Sequence, residues 1–522
     1  MLNPRIILAR ALIKHTSVRC ASGECGGSAA VKGLVLGAYQ DECNPEPKLT
    51  PTAAKFDADI GGKLTQLIKD AGIKKGTARL FTNISNDYAA VAVGGLGPEG
   101  VGYNSVERLD ECKENIRIAT AHAARALQDD GITQIYVEPF TNQEAAAEAA
   151  ILSVWRFQDF KNIEKRYPNP KVEPMNDSDK AGWERGKIKG ENQNIARRIE
   201  ETPGNMMTPT LLAEFAVDCL CPCGIQVEVR DRDWIESKRM YPFLAIAKGS
   251  CEPPLFLEIG YCGAGELEPP VILTGKGVTF DTGGLCHKSC TVMPEHRADV
   301  AGAAVCIATV KTAAQMSLPL NVIALLPLCE NMIGGMSVKP GDVLMASNGK
   351  SVTVEHTDNE GRVMLIDALL YASVFKPCVM FQIATATNGA RHCLGTSATA
   401  VFTLSENMWK QIERAGSETG DRVWRLPMWK IFRRMVTDQL NVDLHNVGTG
   451  GYMAETAKAA SLPLEFQPVN DFLYMDINGT GMTANGVGHP YLREGTMSGR
   501  PTRTLSQFLY QIACPHTKGD DC

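Results

Sequence analysis

PVILTGKGVTFDTGGLCHKSCTVMPEHRADVAGAA, residues 270–304, is the stretch that decides how this chain folds. PVILTG reads as an apolar strand, and the charged residues Lys276 and Asp281 follow directly at its C-terminal end. Open α/β sheets hold their ligands in the crevice outside the carboxyl ends of the strands, so charge at this point marks a site. Asp299 then precedes AGAA, a run small enough for a helix start to pack close against a sheet. Strand, charged turn and close-packed helix together predict α/β organisation.

Working outward, the same alternation recurs on both sides. Strands are expected at QVEVRD (226–231), FLAIA (243–247), LFLEIGY (255–261), NVIALLPL (321–328), VMFQIATAT (379–387) and FLYMDI (472–477). Helices are expected over Ala301–Ala314, Val363–Val374 and Thr504–Ile512. Thr208 is suited to cap a helix that begins at Pro209. In the first third, GLVLGAY (33–39), ARLFTN (78–83), AAVAVGGLG (89–97) and QIYVEPF (134–140) read as strands. Lys63–Ala71, Glu114–Asp129 and Gln143–Phe157 read as helices. The expected division is an N-terminal α/β domain over 31–166, a connecting segment and helix over 167–203, and a larger domain over 204–516. Each domain is a sheet flanked by helices. Residues 167–189 are polar and proline-containing, so the connecting helix is expected to occupy Asn192–Glu200.

A formal net charge of -6 argues against a nucleic-acid carrier, and no apolar run approaches the roughly 20 residues that cross a bilayer. The first 23 residues carry Arg5, Arg10, Lys14 and Arg19 with no acid before Glu24, and their apolar residues fall on one helical face. That is the composition of a mitochondrial transit peptide, so the expected location is the matrix, with the cytoplasm as the alternative. The 17 cysteines are scattered and odd in number. CLCPC (219–223) has no second half at zinc-finger spacing, so the cysteines are read as mostly reduced, small core residues.

A second charged stretch, HTDNEGR (356–362), supplies Asp358, Glu360 and Arg362 with period two. The three side chains share a face only in an extended or looped segment, which then turns into the helix VMLIDALLYA. Singly, each charged residue would be read as part of a surface ion pair. Together, Lys276, Asp281, Lys288, Asp299, Asp358 and Glu360 lie beside apolar elements where unpaired burial is costly. Divalent ions would neutralise them. There is no HExxH motif, and a carboxylate-rich set suits a pair of ions about 3.5–4 Å apart that share one water. A lysine joins such a site as the neutral amine, while a second one stays charged as an electrophile. The residues point to a metal-dependent hydrolase.

Several segments resemble the leucyl aminopeptidase (cytosol aminopeptidase) family: GKGVTFDTGG (275–284), HRADVAGAA (296–304), NGKSVTVEHTDNEGRVMLIDAL (348–369) and SGRPTRTL (498–505). TPGNMMTP, EVRDRDWIE, LPLCENM and GDRVWRLP extend the likeness over most of the second half. The resemblance implies a dinuclear site of Zn2+ or Mn2+ in the larger domain, with Asp281 and Glu360 bridging. Lys276 and Asp299 would complete one position and Asp358 the other. It also implies that Lys288 polarises the scissile carbonyl and that Arg362 holds a bicarbonate acting as general base. Peptide substrates, cleavage at the N-terminus and a homohexamer follow from the same likeness.

The departures concern the pocket for the first residue of the substrate. The family's NTDAEGR is HTDNEGR here, and the methionine three before the Asp299 ligand is His296. ATLTGA reads ATATNGA, so Ala386 follows Thr385 where leucine is usual, and DIAG reads DING, with Asn478. A pocket formed by His296, Thr385, Ala386 and Asn478 is more polar, so a weakened leucine preference is expected. His287, His296 and His356 are read as polar side chains filling space around the site, with a ligand or pH-sensitive role as the alternative. A second functional reading keeps the fold as a structural hexamer with weak or no peptidase activity. The complete ligand set argues against it.

Overall fold

The computed structural model describes residues 30–40, 46–483 and 489–514, so the segment read as a transit peptide lies outside the described residues. The first sheet runs Ala78–Thr82, Ala90–Gly97, Lys32–Tyr39, Gln134–Val137, Lys171–Pro174, with Lys48–Leu49 paired to the end of Lys32–Tyr39. Ala78–Thr82 is antiparallel to its neighbour, and the other strands on that path are parallel. Alternation along Lys32–Tyr39 sorts the two faces. Leu34 and Leu36 pack with Val91, Val93, Phe56, Leu64 and Ile68 under the helices Pro51–Asp59 and Lys63–Ala71. Val35 points the other way, with Ala90, Ala92, Ile116 and Ala123 under the helix Glu111–Asp129.

The second sheet is longer: Val423–Arg425, Thr399–Phe402, Phe472–Asp476, Val379–Ala384, Val271–Gly275, Asn321–Asn331, Leu255–Cys262, Gln226–Arg230. Gly277–Asp281 continues the line of Val271–Gly275 and pairs with the far end of Asn321–Asn331. The four central strands, from Phe472–Asp476 to Asn321–Asn331, are parallel. Leu273, Phe381, Ile383 and Met475 face the helices Ala301–Gln315 and Thr502–Ala513, whereas Ile272, Met380 and Tyr474 face the helices between Gly361 and Ala372. Each fully buried side chain of this size contributes about 1.5–3 kcal/mol. The architecture is thus two α/β domains, each a sheet flanked by helices.

Thr208 caps its helix as expected, accepting from the backbone N–H of Leu211 with Pro209 in the first turn. Three expectations are corrected. FLAIA is not a strand but the end of a helix, Tyr241–Ala247. A short run that is apolar throughout has no periodicity to separate the two. Here Pro242 opens the helix, and the buried Asp367 carboxylate accepts from the N–H of Phe243.

The polar stretch 167–189 is not plain connection: Lys171–Pro174 adds a parallel strand and a helix runs Lys180–Glu201. Gly186 and Gly190 are its contact points with the helix before it. A Cβ on Gly186 would lie 2.2 Å from the carbonyl oxygen of Glu144 in the neighbouring helix Gln143–Val154. The described cysteines carry free thiols, yet only Cys306 and Cys329 are buried, and Cys221, Cys251, Cys262, Cys290, Cys378 and Cys393 are exposed. Among the described residues no helix is long and apolar enough to cross a membrane.

Candidate metal centre

The carboxyl ends of the central parallel strands meet at one point. Lys276 links Val271–Gly275 to Gly277–Asp281, and its backbone N–H donates to the carbonyl of Ile383, 2.9 Å away on the neighbouring strand. Asp281 ends its strand opposite Asn331, whose Nδ2 donates to Asp281 Oδ1 at 2.8 Å. The chain then turns sharply through Gly283 and Gly284 at φ +85° and +63°, a conformation that favours glycine. A Cβ on Gly283 would also meet the carbonyl oxygen of Cys286 at 2.5 Å. This turn brings Lys288 back over the strand ends. Thr357 fastens it, accepting from the N–H of Cys286 at 2.8 Å and donating to the carbonyl of Gly283 at 2.7 Å. The two charged motifs are therefore tied together next to the groups they supply. HTDNEGR is a turn running into the helix Gly361–Met364, as expected, and Asp299 sits on the tight 3-10 turn Met293–Val300.

Six charged side chains converge there. Lys276 Nζ lies 2.5 Å from Glu360 Oε1 and 3.2 Å from Asp299 Oδ2. Lys288 Nζ lies 3.0 Å from Asp281 Oδ2 and also contacts Asp358 Oδ1. Asp281, Asp299, Glu360 and Lys276 are buried, and Asp358 is the more open member. Ligand atoms of Asp281, Asp358 and Glu360 lie within 4.8 Å of one another, as do those of Asp281, His296 and Asp299. Asp281 belongs to both groups.

Electrostatics follow from this crowding. Burial raises Asp281, and the Glu360 carboxylate raises it further, so its carboxyl sits well above the usual range. Glu360 is likewise raised, chiefly by burial. Burial also raises Asp299, but the Lys276 and His296 side chains outweigh it and hold that carboxyl well below its ordinary value. Burial pulls both lysines down, yet the carboxylates around them prevail and raise both. Lys288 is thus held as a cation. A neutral amine at Lys276, the form a metal ligand needs, requires more positive charge beside it than the side chains supply.

The donor set fits divalent ions. Among the described residues, buried Glu360 Oε2 accepts no hydrogen bond, and Glu360 Oε1 and Asp281 Oδ2 meet their lysines only as ion pairs outside hydrogen-bond alignment. Such oxygens are costly to bury without a cation or donor.

The remaining sequence-predicted residues lie around this cluster. Thr385 accepts from Lys276 Nζ through its backbone carbonyl at 3.1 Å. Asp476, at the end of its strand, receives the backbone N–H groups of Ala386 at 3.2 Å and Asn478 at 3.1 Å. Asn478 Nδ2 donates to Asn388 Oδ1 at 3.4 Å. His296 reaches the cluster through Asp299, with Nδ1 at 3.2 Å from Oδ2. Arg362 is turned from the carboxylates: it donates to the carbonyl of Asn446 and to Glu455 Oε1, both at 2.9 Å, while its buried Nε has no partner among the described residues. His287 is exposed, and His356 packs edge-on against Tyr452.

Asn331, Asp476 and Glu455 were not singled out by sequence. Asn331 stands in LPLCENM at the end of a strand, a signal as good as the one that marked Asp281. Glu455 lies in a segment, TGGYMAETAKAA, with no such pattern.

The chain is similar to known proteins over nearly its whole length. The model of the cytosol aminopeptidase family, catalytic domain, matches residues 194–506, and that of the family's N-terminal domain matches residues 35–164. The cytosol aminopeptidase of Bos taurus is 41% identical over 513 residues, covering 97% of this chain and 98% of the bovine one. That of Homo sapiens is 40% identical over 515 residues, covering 98% and 97%. Among solved structures, the bottromycin maturation enzyme BotP in complex with Mn superposes with a TM-score of 0.78 at 25% identity, over 93% of this chain and 100% of that one.

Proposed function

Because this chain belongs to the cytosol aminopeptidase family and is a metalloaminopeptidase, we propose that it releases N-terminal residues from peptides at the cluster of Asp281, Asp299, Asp358 and Glu360. The observation that carries this is the burial of unsatisfied carboxylate oxygens at the carboxyl ends of the parallel strands. Two divalent ions would be held there, zinc or manganese, by Asp281 and Glu360 jointly, by Lys276 and Asp299 on one side, and by Asp358 on the other. Bound, they supply Lewis-acid polarisation and an activated water. Manganese has the support of a solved relative described in complex with Mn.

Lys288 supplies the electrophile. Asp281 and Asp358 hold its ammonium in place, and its raised pKa keeps it charged at working pH. A hydrogen bond from Nζ to the scissile carbonyl oxygen strengthens as negative charge develops there, so it stabilises the transition state more than the ground state. Arg362, anchored by Glu455 and Asn446, leaves its buried Nε–H unpaired among the described residues, and that donor would hold a small anion such as bicarbonate. That anion would serve as the general base.

First-residue preference is altered. His296, Ala386 and Asn478 stand where methionine, leucine and alanine would give an apolar wall. The Arg391–Glu295 ion pair, at 3.0 Å, draws the His296 segment toward the helix Asn388–Leu394 that carries Asn388. Polar groups left without partners against a leucine side chain cost about 1–3 kcal/mol. A homohexamer is proposed on family likeness, and mitochondrial delivery on the basic, acid-free composition of residues 1–23.

The test is hydrolysis of a panel of aminoacyl amides after loading with manganese or zinc, beside Lys288→Ala. The reading expects turnover that Lys288→Ala reduces by two or more orders of magnitude, and kcat/KM for leucine no higher than for small polar residues. Metal bound at full occupancy without turnover would refute the enzymatic role. A strong leucine preference would refute the altered pocket alone.

A further inference from the structure

His296 sits on the 3-10 turn Met293–Val300, three residues before Asp299. With three residues per turn, side chains at i and i+3 eclipse, so the imidazole and the Asp299 carboxylate share one face by construction. That face is turned to the carboxylate cluster: one ring nitrogen of His296 and one oxygen each of Asp281 and Asp299 all lie within 4.8 Å of one another. Nδ1 is buried at an ion-pair distance of 3.2 Å from Asp299 Oδ2, yet among the described residues it makes no aligned hydrogen bond. A nitrogen this close to a carboxylate without bonding to it is placed as a co-ligand would be.

The turn is also held on both sides of His296. Glu295 pairs with Arg391 at 3.0 Å and accepts from the N–H of Thr483 at 3.3 Å. Arg297 donates to Glu201 Oε2 at 2.8 Å and to the carbonyl of Pro294 at 2.8 Å. With both neighbours anchored, the imidazole is aimed with little freedom to swing out, which is what a metal ligand requires.

We propose that His296 is a nitrogen ligand of the ion held by Asp281 and Asp299, and that it biases this position toward zinc over manganese. Carboxylate sites suit manganese and magnesium, whereas an imidazole favours zinc, so one histidine added to an oxygen-rich set moves the preference in that direction. The inference rests on the metalloaminopeptidase reading of the cluster and deepens it.

Zinc K-edge X-ray absorption on the full chain, loaded to two equivalents, tests it. The expected spectrum carries the outer-shell scattering of an imidazole ring, which an amine or carboxylate does not produce. His296→Met should remove that scattering and weaken the zinc dissociation constant at one position by about 10–100-fold, with a much smaller change for manganese. His296→Gln serves as the second variant, and the wild-type spectrum decides even if neither variant folds. Two bound zinc ions with no imidazole scattering, or scattering that persists in His296→Met, overturns the proposal and leaves the metal centre standing. Fewer than one ion bound per chain overturns both.

Discussion

Gly302 is where the fold and the metal centre depend on the same few atoms. It opens the helix Ala301–Gln315 against the sheet, and a Cβ there would lie 2.4 Å from the carbonyl oxygen of Ile383 and 2.6 Å from the backbone nitrogen of Lys276. Both are backbone atoms of adjoining strands, locked by the 2.9 Å bond from Lys276 N–H to Ile383, so neither can yield. Ordinary contact begins near 3.4 Å, and in Gly302→Ala the helix must therefore retreat by about 1 Å.

Overpacking of this kind costs about 1–3 kcal/mol. The retreat also breaks the buried bond from the N–H of Ala303 to the carbonyl of Lys276, now 2.9 Å, for about another 1–3 kcal/mol. The expected loss is about 2–6 kcal/mol, a large part of the roughly 5–15 kcal/mol that holds a domain folded. Asp299 precedes the same helix and Lys276 lies beneath it, so the shift also reaches the site, where misplacement by 1 Å lowers turnover by about a hundredfold. Urea denaturation at fixed protein concentration and metal content by mass spectrometry measure both effects. A variant with the wild-type midpoint and full metal content would show that the helix is not pressed against the sheet here, and the reasoning would fall.

Three further outcomes are expected. Glu148 is buried and shared by Arg117 at 2.9 Å and Arg503 at 2.8 Å, so Glu148→Ala takes from buried Arg503 its paired carboxylate and leaves Arg117 with Glu114 alone at 3.1 Å, and should cost about 3–5 kcal/mol in urea denaturation, where a loss below about 1 kcal/mol would contradict it. Among the described residues only Thr50 and the backbone of Gly37 bond the buried Glu138, and burial raises its pKa from 4.5 to about 8. Folding therefore favours its protonated form: its contribution is greatest below pH 4.5, is lost as pH rises to about 8, and is flat beyond, and Glu138→Gln should abolish that decline. Urea midpoints across this range that run parallel in the two proteins would refute it. Asn331→Ala removes the 2.8 Å bond that orients Asp281, and should weaken metal binding about 10–100-fold in chelator competition, where unchanged affinity counts against an orienting role.

The legible parts of the chain were those where one local pattern answers to one physical cause. PVILTG, NVIALLPL and FLYMDI are apolar because both their faces are covered, and AGAA is small because Gly302 lies against the backbone of Lys276 and Ile383. The charged residues of both motifs stood out because they interrupt apolar elements, and six of them do converge, while Arg362 turns away to Asn446 and Glu455. FLAIA misled because an all-apolar run carries no period. The stretch 167–189 misled because its polar, proline-containing composition hides a strand and the start of a helix that packs closely through Gly186. Glu455, which holds Arg362, lies 93 positions away in sequence, and only the folded chain brings the two together.

The central claim is that this carboxylate cluster is a working dinuclear centre. Its most direct test is titration of the metal-stripped chain with zinc or manganese while aminoacyl-amide hydrolysis and bound metal are followed together. The account predicts that activity, absent after chelation, rises and saturates at two ions per chain, and that Glu360→Gln lowers both the stoichiometry and the rate. Full activity in the presence of excess chelator, or saturation of binding without any turnover on the whole panel, would contradict it.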